Sequence, residues 1–124
     1  MAVIQFENGF HGTYQVGEQT LKIGHELIQP YDMTYGAVAS CFYATFLLVA
    51  KERGVSISGA EIRVSGRKRT QVPTTLEYLN LRMIPVSTAA REELEACMQE
   101  ALQKCSMMAT IRQVAEIDAA LAEA

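Results

Sequence analysis

From Met33 to Ala50 the chain carries 18 consecutive residues without a charge, bounded by Asp32 on one side and by Lys51, Glu52 and Arg53 on the other. Any fold must find a dry place for this run. Its length alone would suit a bilayer crossing. Thr34, Tyr35, Gly36, Ser40, Tyr43 and Thr45 dilute it, however, and no second such run accompanies it. It therefore reads as a helix apolar on all sides, which must be buried on all sides. At about 1.5 Å per residue, roughly 20 residues make a rod of about 30 Å. A globule of this length has a radius of gyration of only about 14 Å. One small chain can hardly wrap such a rod, so a second copy is expected to cover it. The expectation is a homodimer with no membrane partner.

The surface of this helix divides into two sides. Gly36, Ser40 and Ala44 follow one another at four-residue spacing, with Ala37 and Cys41 alongside. Small residues in that pattern let another helix backbone approach closely. Tyr35, Phe42, Phe46 and Val49 lie on the opposite side, which suits packing under a sheet.

The flanking segments read as mixed α+β structure. Ahead of the helix, Val3 to Phe6, Thr13 to Val16 and Thr20 to Ile23 alternate like strands between glycine-bearing turns. Pro30 marks the helix start and Gly54 its C-terminal cap. Glu61 to Gly66 and Thr74 to Ile84 then alternate, with Leu79, Leu81 and Met83 on one face of the second run. Together they predict an antiparallel hairpin. A second helix is expected after a cap at Ser87 or Thr88, with Leu94, Cys97 or Met98, Ala101, Leu102 and Cys105 as its apolar stripe. A short helical segment from Ser106 to Arg112 follows, then a last strand from Val114 to Ile117, and the alanine-rich tail is expected to fray.

Composition narrows the function classes. The chain has 124 residues, so one domain spanning residues 1–124 is expected. The net charge of −3 argues against a nucleic-acid partner. The basic cluster Arg67-Lys68-Arg69 beside Gly66 reads as a solvated hairpin end rather than a phosphate site. Met1 to Phe6 has neither a basic leader nor a long apolar core. Three cysteines, an odd and low count, do not suit a secreted disulfide scaffold. A reducing, cytoplasmic location is therefore the expectation.

Taken by themselves the cysteines are ambiguous. Cys41 and Cys105 fit two readings, small buried hydrophobes or a redox pair. Cys97 sits on an amphipathic stripe and reads as core. No CxxC and no zinc-type cluster occurs, and His11 and His25 lie in loops far from the cysteines in sequence, so no metal is expected.

The surroundings of these two cysteines are more telling. The segment Pro30-Tyr31-Asp32-Met33-Thr34-Tyr35-Gly36-Ala37-Val38-Ala39-Ser40-Cys41 resembles the signature of the OsmC/Ohr family, the osmotically inducible and organic hydroperoxide resistance-like proteins. Leu102-Gln103-Lys104-Cys105-Ser106-Met107-Met108-Ala109-Thr110-Ile111 is similar to that family's second motif, usually read as Lys-Cys-Pro-Val before a short apolar turn. The order of elements agrees over almost the whole chain.

The resemblance implies an OsmC-like α+β fold, with antiparallel sheets packed on two main helices in an intertwined homodimer. It also implies thiol-dependent reduction of organic hydroperoxides in oxidative stress defence. Cys41 would be the attacking and Cys105 the resolving thiol, no cofactor would be bound, and an external dithiol would serve as reductant. Apolar neighbours, namely Phe42, Tyr43, Met107 and Met108, could receive a greasy substrate.

Four features depart from the pattern. The best-characterised peroxidase members activate the thiolate with an N-terminal arginine and a glutamate just after the helix-start proline. Here no arginine precedes Arg53, and Tyr31 follows Pro30. Arg53, Arg82 and Arg112 are the candidate replacements, from the same or a partner chain. Ser106 stands in place of the motif proline, and Met108 in place of the usual histidine. The alternative reading is a non-catalytic module that binds a small apolar ligand or senses redox state.

Overall fold

The computed structural model describes residues 1–123. They form six strands and three helices, and they fall into two compact units, Met1–Tyr35 and Gly36–Ala124.

The first unit is a three-stranded antiparallel meander of β1 (Ala2–Phe6), β2 (His11–Val16) and β3 (Gln19–Gly24). Its registers, Ile4 opposite Tyr14 and Tyr14 opposite Leu21, match the short alternating pieces read from the sequence. Gly24 is required at the end of β3. Its φ is +151°, and a Cβ there would lie 2.6 Å from the Phe10 carbonyl oxygen. The sheet leaves Val3, Ile4, Phe6, Val16 and Leu21 exposed.

Helix α1 spans Pro30–Glu52. Pro30 occupies the first helical position, and the Asp32 carboxylate accepts the Gln29 N–H at 2.9 Å, one half of a capping box. Its far end is a Schellman motif. Gly54, at φ +71°, donates to the Lys51 carbonyl, and Val55 donates to that of Ala50 at 2.8 Å. Both boundary signals in the sequence therefore act as expected.

Burial of α1 is one-sided. Val38, Phe42, Phe46, Val49 and Ala50 are buried, whereas Gly36, Ala37, Ser40, Ala44, Leu47 and Leu48 are exposed. The burial on all sides expected from the sequence is not reached within one chain. By length and composition α1 is also apolar enough to cross a membrane.

In the second unit β4 (Gly59–Lys68) and β5 (Leu76–Val86) form the expected hairpin, with Ile62 opposite Met83 and Val64 opposite Leu81. Leu79, Leu81 and Met83 are fully buried on one face of β5. Helix α2 (Arg91–Lys104) adds Leu94, Cys97, Met98, Ala101 and Leu102 to the core, and α3 (Ser106–Arg112) adds Met108 and Ile111. No polar or charged side chain is buried among the described residues.

Three details differ from the sequence reading. The α2 N-cap is Ala90, without a side-chain hydrogen bond. Ser87 is engaged elsewhere, donating to the Ser56 carbonyl at 2.7 Å and accepting the Ala89 N–H. The last strand, β6, runs Glu116–Leu121 rather than from Val114, because the Val114 and Ala115 N–H groups still close the end of α3 on the Ile111 carbonyl. Ala119 and Ala120, expected to fray, pair with Leu81 and Arg82.

β6 also joins β5 in parallel, so the second sheet is mixed rather than wholly antiparallel. Returning a parallel strand needs a long crossover, which α2 and α3 supply. A Tyr78 hydroxyl and the Arg82 guanidinium, 2.9 and 3.1 Å from the Asp118 carboxylate, tie the two strands side chain to side chain.

Candidate functional site

Cys41 lies in the middle of α1, and Cys105 is the single residue between α2 and α3. That break is firmly held. The Cys105 N–H donates to the Ala101 carbonyl at 2.9 Å, and its own carbonyl accepts the Ala109 N–H at 3.1 Å. Arg112 donates to the Leu102 carbonyl at 2.7 Å, satisfying an acceptor that the end of α2 leaves open. Arg53, at the end of α1, meets Glu100 of α2 at 2.7 Å, and Lys104 meets the same carboxylate at 2.8 Å. The helices that carry the two sulfurs are thus tied near their ends.

The fold brings the two cysteines together. Cys105 Sγ donates to Cys41 Sγ across 3.3 Å, and Ser106 Oγ lies 3.6 Å from Cys41 Sγ. Both thiols are free. Cys41 is partly open to solvent, while Cys105 has none of its surface exposed.

Their acidities diverge. The Met107 peptide N–H, then the Ser106 hydroxyl and the Cys105 thiol, hold the Cys41 pKa below the ordinary thiol value, against a smaller effect of burial. Burial pushes Cys105 up, and the neighbouring Cys41 sulfur adds to this. Both shifts favour the thiolate at the accessible sulfur and the proton at the buried one. Thiolate character and access are what make a cysteine nucleophilic.

The other sequence candidates lie elsewhere. Cys97 is buried in the core face of α2, and burial raises its pKa. His11 and His25 lie in the first unit, His25 edge-on to the Phe10 ring at 5.4 Å. Among the described residues, no group of three or more His, Cys, Asp or Glu could hold a metal ion. Of the proposed replacement cations, Arg53 pairs with Glu100, Arg82 with Asp118, and Arg112 with a backbone carbonyl. None of them is among the groups that lower the Cys41 pKa.

Phe42 and Met108 are core residues with no exposed surface, which removes them from the expected substrate-receiving set. Tyr43, stacked on Phe46 at 6.3 Å, and Met107 remain partly open. The donor role of residues 106 and 107 is not visible in the sequence. The only trace of it there is that Ser106 breaks the motif.

Comparisons with known proteins agree with this fold. The family described as OsmC-like protein matches residues 24–120. An OsmC-like protein from Mycoplasma pneumoniae superposes with a TM-score of 0.88 at 16% identity, covering 99% of this chain and 95% of that one. OhrB, an organic hydroperoxide resistance protein of Bacillus subtilis, gives 0.72 at 19% identity over 98% of each chain. The organic hydroperoxide resistance protein OsmC from Legionella pneumophila gives 0.76 at 15% identity, over 98% and 96%. No curated protein matches the sequence. With its fold shared across these structures and the family match covering most of its length, the chain belongs to the OsmC/Ohr family of OsmC-like proteins.

Proposed function

We propose that this chain is a thiol-dependent peroxidase acting on organic hydroperoxides, with Cys41 attacking and Cys105 resolving. One observation carries the reading. Two sulfurs in contact at 3.3 Å differ in exposure and in the direction of their pKa shifts, each in the sense its role requires.

The Cys41 thiolate attacks an oxygen of the hydroperoxide, the O–O bond breaks, and the departing alkoxide takes a proton and leaves as the alcohol. Cys41 is then a sulfenic acid. Cys105 loses its proton, attacks the Cys41 sulfur and displaces hydroxide, which leaves as water, so that a Cys41–Cys105 disulfide remains. A sulfur–sulfur bond is about 2.0 Å long, so the two atoms at 3.3 Å need only a small approach. An external dithiol restores both thiols by exchange. No bound cofactor enters this cycle, and a cytoplasmic setting, where thiols are kept reduced, suits it.

The reading includes a homodimer. The exposed small-residue side of α1, with Leu48 65% exposed beside it, and the apolar side chains open on the first sheet need cover that a second copy would supply. Peroxide consumption with a dithiol donor tests the activity. Cys41→Ser should abolish it and Cys97→Ser should leave it, whereas equal rates in wild type and Cys41→Ser would end the proposal.

A second reading, a non-catalytic module that binds a small apolar ligand or senses redox state, is favoured by the lack of a cation among the groups acting on Cys41. Native mass spectrometry that finds a retained apolar ligand, on a protein whose Cys41 resists alkylation, would select it.

A further inference from the structure

We propose that Ser106 activates Cys41, its hydroxyl donating a hydrogen bond to the Cys41 thiolate from 3.6 Å and so taking the part of a neighbouring cation. This rests on the reading of Cys41 as the attacking sulfur. The direction of the bond follows from the chemistry. Either atom can donate while the thiol is protonated. A thiolate has no proton left to give, so in the reactive form the hydroxyl must donate. A hydrogen bond that is stronger to the charged form than to the neutral one lowers the pKa.

Two further facts support the assignment. Of the residues that act on this sulfur, Ser106 alone contributes twice, through its hydroxyl and through its peptide N–H. A proline at this position would have neither group. Among the described residues Ser106 Oγ makes no other hydrogen bond, whereas the hydroxyls of Ser40, Thr45 and Thr110 each donate to a carbonyl one helical turn back. The Ser106 hydroxyl is at the protein surface and is directed to the sulfur.

The test is the pH dependence of iodoacetamide alkylation at Cys41, followed by peptide mass spectrometry on the reduced protein. Ser106→Ala should move the midpoint to higher pH and cut the thiolate fraction at pH 7 by about three- to tenfold. Ser106→Thr should restore it, and Ser106→Pro should move it further than Ser106→Ala. The plateau rate at high pH should not fall, since a less acidic thiol is intrinsically the better nucleophile. A structural disturbance has no reason to leave that plateau intact while shifting the midpoint.

An unchanged midpoint in Ser106→Ala, or equal shifts in Ser106→Ala and Ser106→Thr, would overturn the assignment. Peroxide turnover is measured separately on the wild type. If turnover is absent while the midpoints move as described, the peroxidase reading fails and the role of Ser106 stands.

Discussion

Cys105 directs its thiol hydrogen at Cys41 Sγ across 3.3 Å, although the two residues are 64 positions apart in the chain. The donor is the buried sulfur and the acceptor the accessible one. This polarity sets which thiol reacts first. Alkylation of the reduced protein should label Cys41 with a midpoint below the unperturbed value of about 8.5. Cys105 and Cys97, both pushed up by burial, should react only at higher pH or after unfolding. Residue-resolved mass spectrometry over a pH series checks the order.

The same shifts make stability fall in alkali. Cys97 and Cys105 have raised folded pKa values, so the unfolded chain loses their protons first. Their contribution is intact below the unfolded value of about 8.5 and is lost as pH rises above it towards the folded values. Cys41 is depressed and acts in the opposite sense, favouring the fold as pH rises. Urea midpoints between pH 7 and 10 should therefore drop less steeply in Cys97→Ala than in wild type.

Acid should weaken two side-chain ties. Lys104 and Arg53 lower the Glu100 pKa, and Arg82 and Tyr78 lower that of Asp118. A depressed carboxyl contributes stability above its unfolded pKa of about 4 and loses it as pH falls through the folded value. Both ties are partly solvent-exposed, so salt should screen them. Denaturation midpoints at pH 7 and pH 3, each at low and high salt, should show a smaller acid loss at high salt, and Asp118→Asn should reduce the loss further.

Phe46 is fully buried beside Phe42 on α1. Phe46→Ala should cost about 3–5 kcal/mol in urea unfolding, the usual penalty for emptying an aromatic site in a core. Leu48→Ala, two residues on and exposed on the opposite side of α1, should cost far less in the isolated chain.

The exposed side of α1 offers a different readout. If a second copy covers it, Ala44→Glu places a charge in a close helix contact, and light scattering after gel filtration should report a monomer where the wild type is a dimer. A wild type of monomeric mass would remove the dimer from the proposed function.

Much of this was legible in the sequence because it depends on local chemistry. Pro30, Asp32 and Gly54 mark the ends of α1, and each acts through a bond between near neighbours in the chain. The alternation of Leu79, Leu81 and Met83 gave the core face of β5. What the sequence concealed was set by distant partners. Ser87 looked like a cap until the Ser56 carbonyl engaged its hydroxyl. Ala119 and Ala120, poor strand formers by themselves, take strand geometry from β5. At the site, both cysteines stood out by their motifs. The donors at Ser106 and Met107 did not, because peptide N–H groups leave no mark in a sequence and Ser106 shows there only as a departure from the motif, with nothing to join it to another helix.

The central claim is that Cys41 and Cys105 form one reacting pair. Treating the fully reduced protein with one equivalent of an organic hydroperoxide, followed by non-reducing peptide mapping, tests it most directly. The expected product is a Cys41–Cys105 disulfide with Cys97 still a free thiol. Cys41 oxidised to the sulfenic acid while Cys105 remains reduced, or no change at either sulfur, would contradict it.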